Sequence, residues 1–237
     1  MPIRIEDPFY DPTPRMQEDV NPFVGRLKQG ILDGSLPAFF GPSLRDRKGT
    51  WQTHFEKQSL PAGSPVVVEI GSHKGDVLSS MASRHSDVGF VGMDITFKRV
   101  VTLADKAIAS SLPNIVSILC NAKAMDQIFA QGELDGIVIF FPDPWIKKKR
   151  QQKNRLINQE FLEKIHSLLK PKGFLWFKTD HKPYFDDVCV SADRMFQTAE
   201  TSSDSLWQDT YTSTFENKFL SQGLPTYEKV WMKPECE

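Results

Sequence analysis

The chain has 237 residues, of which 40% are hydrophobic and 11% aromatic, and its formal net charge is −1. This is a core-forming globular composition for one large domain, or one domain plus extensions, and its near-zero charge argues against a general polyanion binder. No apolar run approaches the ~18 residues of a membrane span, the polar stretch over 1–19 does not read as a secretory signal, and Cys120, Cys189 and Cys236 are too scattered for a disulfide framework or a zinc site, which points to a reducing cytoplasm.

Residues 1–64 are rich in proline and glycine and read as an N-terminal extension carrying one short helix over 20–32. From residue 65 onward, apolar runs alternate with amphipathic stretches, so 65–237 reads as one domain. Strands are predicted over 66–70, 89–94, 114–119, 136–141 and 174–179. Helices are predicted between them over 76–84, 97–109, 122–130 and 159–169. Asn158 is placed as the cap of the last of these, with Pro171 and Gly173 as its stop signals. A further helix follows over 184–198, then two strand-like runs over 209–215 and 227–232.

The strands are continuous apolar runs rather than alternating ones, the pattern of a parallel sheet covered on both faces. In such sheets, ligands sit beyond the carboxyl ends of the strands. Polar residues stand at those ends here: Glu69 and Gly71 after the first strand, Asp94 after the second, Asn121 after the third, Asp143 after the fourth, and Thr179 and Asp180 after the fifth. The first turn, Glu69-Ile-Gly-Ser-His-Lys-Gly-Asp76, lacks the G-x-G-x-x-G of a dinucleotide fold and is not a phosphate-binding P-loop. It reads either as a loop around a nucleoside-bearing cofactor or as an ordinary strand-to-helix turn. Asp94 can accept hydrogen bonds from ribose hydroxyls or cap the next helix. Asn121 can contact an adenine edge or simply start a helix.

The most informative stretch runs from Phe140 to Arg155. Asp143 is fenced by Pro142 and Pro144, Trp145 follows, and six of the nine residues from Lys147 to Arg155 are basic, leaving 23 basic against 30 acidic residues elsewhere. A cationic block beside an acidic corner suits a defined anionic partner, the alternative being a solvated helix face. Trp145 either stacks on a base or packs in the core. The five histidines show no metal spacing, and no metal is expected. His166 reads as structural, whereas His181, next to Asp180, is a candidate for lining the site.

Together these residues resemble class I methyltransferases that use S-adenosylmethionine. The segments Phe141-Pro-Asp-Pro-Trp145, Lys147 to Arg150 with Arg155, Leu169-Lys-Pro-Lys-Gly173, Lys178-Thr-Asp180, Ser213-Thr-Phe-Glu-Asn-Lys218 and Gly223-Leu-Pro-Thr-Tyr227 narrow this to the tRNA (guanine-N7)-methyltransferase family, over roughly 65–232. The resemblance implies an α/β, Rossmann-like, mostly parallel seven-stranded sheet with helices on both faces. It implies S-adenosyl-L-methionine as cofactor, tRNA as partner with a variable-loop guanine as target, no membrane, and a monomer or homodimer. It assigns Glu69, Gly71, Asp94, Asn121 and Asp143 to the cofactor, Asp143 also carrying the catalytic assignment. Lys147, Asp180, Ser213 and Glu216 fall to the substrate. The chain departs from the family pattern at His73, where a second glycine is usual, at Asn121 in place of Asp, and at Ser213 in place of Thr, with Thr214 beside it. A methyltransferase acting on another RNA, or a non-catalytic RNA binder of the same fold, are the competing readings.

Overall fold

The computed structural model describes residues 22–146, 153–202 and 205–235. Its contacts divide the chain into two units, residues 1–130 and 131–237. The first unit contains helix α1 (Pro22–Asp33), strand β1 (Ala38–Phe39), helix α2 (Trp51–Lys57), strand β2 (Val66–Ile70), helix α3 (Asp76–Arg84), strand β3 (Gly89–Asp94), helix α4 (Phe97–Ala109) and strand β4 (Ile115–Leu119). The strands lie in the order β1-β4-β3-β2, and the pairings of β1 with β4, β4 with β3 and β3 with β2 are all parallel.

Every residue of β2, β3 and β4 is buried. That is why these runs carry no polar alternation: both faces of each strand are covered. Helix α4 buries Val100, Val101, Leu103, Ala104 and Ala107 along one face, the i, i+3, i+4 spacing of an amphipathic helix. It can approach closely because β3 offers Gly92, where an added Cβ would lie 2.1 Å from Leu103 Cδ2.

The segment expected to be an extension contributes to this unit's sheet and core. Ala38 pairs with Ser117 and Phe39 with Ile118, which makes β1 a strand that was not foreseen. Trp51 and Phe55 are fully buried, and the Trp51 indole N–H donates to the Ile128 carbonyl at 2.8 Å. The helix expected over 122–130 is instead a 3₁₀ turn, Ala122–Gln127.

The second unit contains strand β5 (Leu134–Phe140), helix α5 (Gln159–Leu168), strand β6 (Leu169–Thr179), helix α6 (Lys182–Ala192), strand β7 (Gln197–Thr198), helix α7 (Thr214–Ser221) and strand β8 (Tyr227–Met232). Their order is β5-β6-β8-β7, with β5 and β6 parallel and β8 antiparallel to both β6 and β7. Asn158 caps α5 as expected, its side chain accepting from the Phe161 N–H.

Two expectations fail here. The helix expected over 184–198 ends at Ala192, and Gln197–Thr198 pair with β8 instead. Pro171 and Gly173 follow the end of α5 at Leu168, as expected of its stop signals. They form an irregular entry into β6, where the register against β5 shifts between Leu134 and Gly136. At Gly173 an added Cβ would lie 2.9 Å from the Lys170 carbonyl oxygen, so glycine is there for close backbone approach. Residues 209–215 are not a strand: Ser213 caps α7 by accepting from the Glu216 N–H, and the preceding residues are irregular. A capping signal, Ser-x-x-Glu, outweighs the β-propensity of the run.

None of the described helices is long and apolar enough to cross a membrane. Trp51→Ala is expected to destabilise the protein by about 3–5 kcal/mol, because it opens a cavity and strands the Ile128 carbonyl. Chemical denaturation followed by circular dichroism measures this, and a loss below about 1 kcal/mol would place Trp51 outside the core.

Candidate functional site

In the first unit, β2 and β3 run side by side, and their carboxyl ends meet at the first turn. The Gly71 and Ser72 amides both donate to the Met93 carbonyl, at 2.8 and 3.3 Å. Gly71 lies at φ 81° with open space where a side chain would stand, and Gly75 at φ 72° leads into α3. His73, between them, also takes a left-handed conformation (φ 49°), as the family's usual glycine would without strain. Its backbone N–H donates to the Asp94 carboxylate, so the histidine preserves the turn that a glycine would make.

Asp94 is buried, and it does not cap α4 in the simple sense. Thr96 occupies the cap, and its N–H donates to Asp94 Oδ1 at 2.9 Å, while Arg99 Nη1 lies 3.4 Å from Oδ2. Burial raises the Asp94 carboxyl above its ordinary range, and Arg99 together with the Thr96 and His73 donors offsets part of that rise. Glu69 is in a harsher setting. Burial first, then the Asp76 and Asp94 carboxylates, push its carboxyl up to about 8. Glu69 Oε2 and the Ser72 hydroxyl are buried and have no hydrogen-bond partner among the described residues. Buried polar atoms left unsatisfied are uncommon, and at the carboxyl end of a parallel sheet they are where a polar ligand makes its contacts. Asn121 accepts from the Lys123 N–H and so caps the 3₁₀ turn, which fills the structural role foreseen for it.

A cavity of about 980 Å³ in the same unit is lined by residues of 30–43, His54 and the α4–β4 connection. It therefore lies at the amino end of β4, away from the strand ends that carry Glu69 and Asp94.

In the second unit, the corner after β5 is set by two left-handed residues, Phe141 (φ 52°) and Trp145 (φ 50°), on either side of Pro142-Asp143-Pro144. The Phe141 N–H donates to the Lys178 carbonyl at 2.8 Å, extending the β5–β6 ladder to the corner. Asp143 is exposed, and Trp145 is 39% exposed, which removes the core reading of the tryptophan. Lys147 and the basic residues through Arg150 lie outside the described residues.

Arg155, expected with the phosphate-binding residues, is instead a strut. It is buried, its Nε donates to the Pro144 carbonyl at 3.0 Å, Nη1 pairs with Asp187 at 2.7 Å, and the guanidinium lies over the Tyr184 ring. A guanidinium so engaged clamps the corner rather than meeting RNA.

At the end of β6, Thr179 is buried and Asp180 exposed. His181, a candidate for the site, caps α6: its Nδ1 accepts from the Tyr184 N–H at 3.1 Å. Ser213 caps α7, and Glu216 is buried with Oε1 3.3 Å from Lys178 Nζ and Oε2 without a partner among the described residues. Lys178 was missed as a site residue. Its sequence signals were its place in the Lys178-Thr-Asp180 segment of the resemblance and a lysine at the tenth position of an eleven-residue strand that is apolar over 174–177. Among the described residues no group of three or more His, Cys, Asp or Glu side chains could hold a metal ion.

Comparison with known proteins places this arrangement. A family model described as "Putative methyltransferase" matches residues 63–229. A tRNA (guanine-N(7)-)-methyltransferase of Bacillus licheniformis is 33% identical over 190 residues, covering 78% of this chain and 86% of the relative. The enzyme of the same name from Geobacillus thermodenitrificans is 32% identical over 204 residues, covering 84% and 92%. The chain belongs to the tRNA (guanine-N7)-methyltransferase family. Among solved structures, the antibiotic-resistance methyltransferase Kmr (TM-score 0.54, 16% identity, 78% of this chain and 94% of that one) and the 16S rRNA methyltransferase KamB (TM-score 0.56, 12% identity, 77% and 94%) share the class I methyltransferase fold.

The Glu69 environment carries a consequence for stability. Its folded-state carboxyl titrates near 8 against an ordinary 4.5, so between these values the folded protein holds a proton that the unfolded chain has released. Stability is then fullest below about pH 4.5 and is lost as pH rises through about 8. The melting temperature without cofactor is expected to fall between pH 5 and 8, and Glu69→Gln to remove that component of the slope. Parallel profiles for the two proteins, recorded by scanning fluorimetry, would contradict it.

Proposed function

We propose that this family member transfers a methyl group from S-adenosyl-L-methionine to N7 of a guanine in the tRNA variable loop, in the cytoplasm. The observation that carries the reading is identity of about one third with tRNA (guanine-N(7)-)-methyltransferases over some four fifths of the chain.

The first unit's residues fit a nucleoside cofactor. Glu69 and Asp94 carry carboxyl oxygens suited to hydroxyl donors, Glu69 Oε2 and the Ser72 hydroxyl are unpartnered among the described residues, and Gly71 leaves its turn open. Glu69, Gly71, Asp94 and Asn121 are accordingly assigned to the cofactor, and Asp143, of the second unit, by the family resemblance alone. When bound, S-adenosylmethionine supplies a methyl group activated by its sulfonium sulfur, open to in-line displacement by a nucleophile.

Guanine N7 offers a lone pair and no proton, so the protein has no general base to provide at that atom. Its task is positioning, an effect worth on the order of 7–11 kcal/mol in favourable systems. The Watson–Crick edge of guanine donates from N1–H and N2–H₂. Asp180 and Glu216 are assigned as the acceptors of those protons, with Ser213 and Lys147 beside them on the substrate. Adenine presents an acceptor at N1, and an acceptor facing a buried carboxylate is left unpaired at a cost of about 1–3 kcal/mol.

The decisive assay incubates unmodified tRNA with the protein and labelled S-adenosylmethionine and analyses the nucleosides by mass spectrometry. 7-Methylguanosine is expected, and its absence on every tRNA tested would sink the assignment. The cationic run is assigned to RNA phosphates. Neutralising Lys148, Lys149 and Arg150 together is expected to lower the slope of log affinity against log salt by about 0.7–0.9 per lost phosphate contact while leaving cofactor affinity intact. An unchanged slope would take that role from the run.

A further inference from the structure

We propose that Lys178 is a positioning residue: it holds one oxygen of Glu216 so that the other remains an ionised, unshared acceptor for the guanine edge. The inference rests on the assignment of Glu216 to guanine made above.

Three observations carry it, all within the second unit. The first is the engagement of the lysine. Of the three N–H donors of an ammonium, Lys178 Nζ uses two in hydrogen bonds, to the Tyr211 carbonyl at 3.0 Å and Glu216 Oε1 at 3.3 Å, and Glu228 Oε2 lies at ion-pair distance, 3.5 Å. Glu228 is itself fixed, its Oε1 accepting from the Trp176 indole N–H at 2.6 Å. The lysine also lies over the Phe140 and Trp176 rings, at 4.9 and 5.4 Å from their centroids. The lysine is drawn to Glu216 Oε1, and among the described residues Glu216 Oε2 has no hydrogen-bond partner although Glu216 is only 5% exposed.

The second observation is what Glu216 gives up. It stands three residues after the helix cap Ser213, the position from which a glutamate ordinarily reaches back to the cap's own N–H to complete a capping box. The Ser213 half of the box is present, at 3.0 Å, whereas the Glu216 carboxylate is turned to Lys178 on β6. A local helix-stabilising contact is traded for a tertiary one.

The third is the charge count. Lys178 is buried, at 3% exposure, between two carboxylates. One lysine set between two carboxyl groups cannot match both in charge. An ionised oxygen is an acceptor only, which matches the N1–H and N2–H₂ donors of guanine and opposes the N1 acceptor of adenine.

The test compares Lys178→Met, Lys178→Arg, Trp176→Phe and Glu216→Gln in full-length protein, measuring kcat/KM for tRNA methylation from pH 6 to 9 and the Kd for S-adenosylmethionine. Among the described residues the charged group in contact with the Glu216 carboxylate is Lys178 from β6, whose ammonium is shared with Glu228 on β8 and the Tyr211 carbonyl before α7; in Lys178→Met the buried carboxyl loses that cation and is expected to take up a proton. Methylation at pH 7 is expected to fall on the order of 100-fold and to recover as pH rises toward 9, with Lys178→Arg restoring most of the activity. Trp176→Phe releases Glu228, is expected to reduce kcat/KM several-fold, and decides the matter if Lys178→Met does not fold. S-Adenosylmethionine affinity is expected to be unchanged throughout. A folded Lys178→Met protein with the wild-type pH profile, or a pH-independent loss not relieved by arginine, overturns the proposal; if that variant does not fold, wild-type kcat/KM in Trp176→Phe does so. Wild-type kcat/KM in Glu216→Gln overturns instead the assignment of Glu216 to guanine.

Discussion

A strand covered on both faces can meet a ligand only near its ends. Strands β2, β3 and β4 are in that position, with continuous parallel pairing and apolar cover along their whole length. The polar residues at their carboxyl ends therefore gather in one turn region, where Gly71 and Ser72 bond to Met93, and the His73 N–H meets Asp94. The chemistry is confined to the strand ends by the same packing that makes the strands.

Each unit then carries a buried glutamate, and the two are handled in opposite ways. Glu69 is surrounded by further carboxylates, so burial and repulsion drive its carboxyl up to about 8. Glu216 faces a buried lysine that is itself engaged by the Tyr211 carbonyl and Glu228. In both cases one oxygen is left without a partner among the described residues. A buried acceptor with nothing to accept is a standing cost to the folded protein, and the two such glutamates occupy positions assigned to ligands. Stability is given up where binding requires it.

Much of the fold could be read from periodicity and punctuation. The limits of α4, the strands β2 and β3 and the Asn158 cap of α5 follow from apolar spacing and a single capping residue. Elements governed by long-range pairing were harder to read. The two-residue β1 has no local signal; it exists because β4 offers it a free edge. Pro171 and Gly173 follow the end of α5 as read, but the bulged entry into β6 that they also make depends on β5 passing close to Gly173. Arg155 belongs by composition to a cationic run, but Pro144 and Asp187 draw it inward.

The sequence by itself determined the class of protein and the places where its chemistry would lie. Hydrophobic period and strand-end polar residues depend on local order along the chain, and the motifs from Phe141 to Tyr227 carry the family. Tertiary structure alone decided how each polar group is used. Whether Glu216 completes a helix cap or faces Lys178, whether Trp145 is buried or exposed, and whether His181 lines a site or caps a helix depend on side chains brought together from distant positions. Hydrogen-bond saturation and desolvation are properties of that three-dimensional neighbourhood, and no spacing within the chain encodes them.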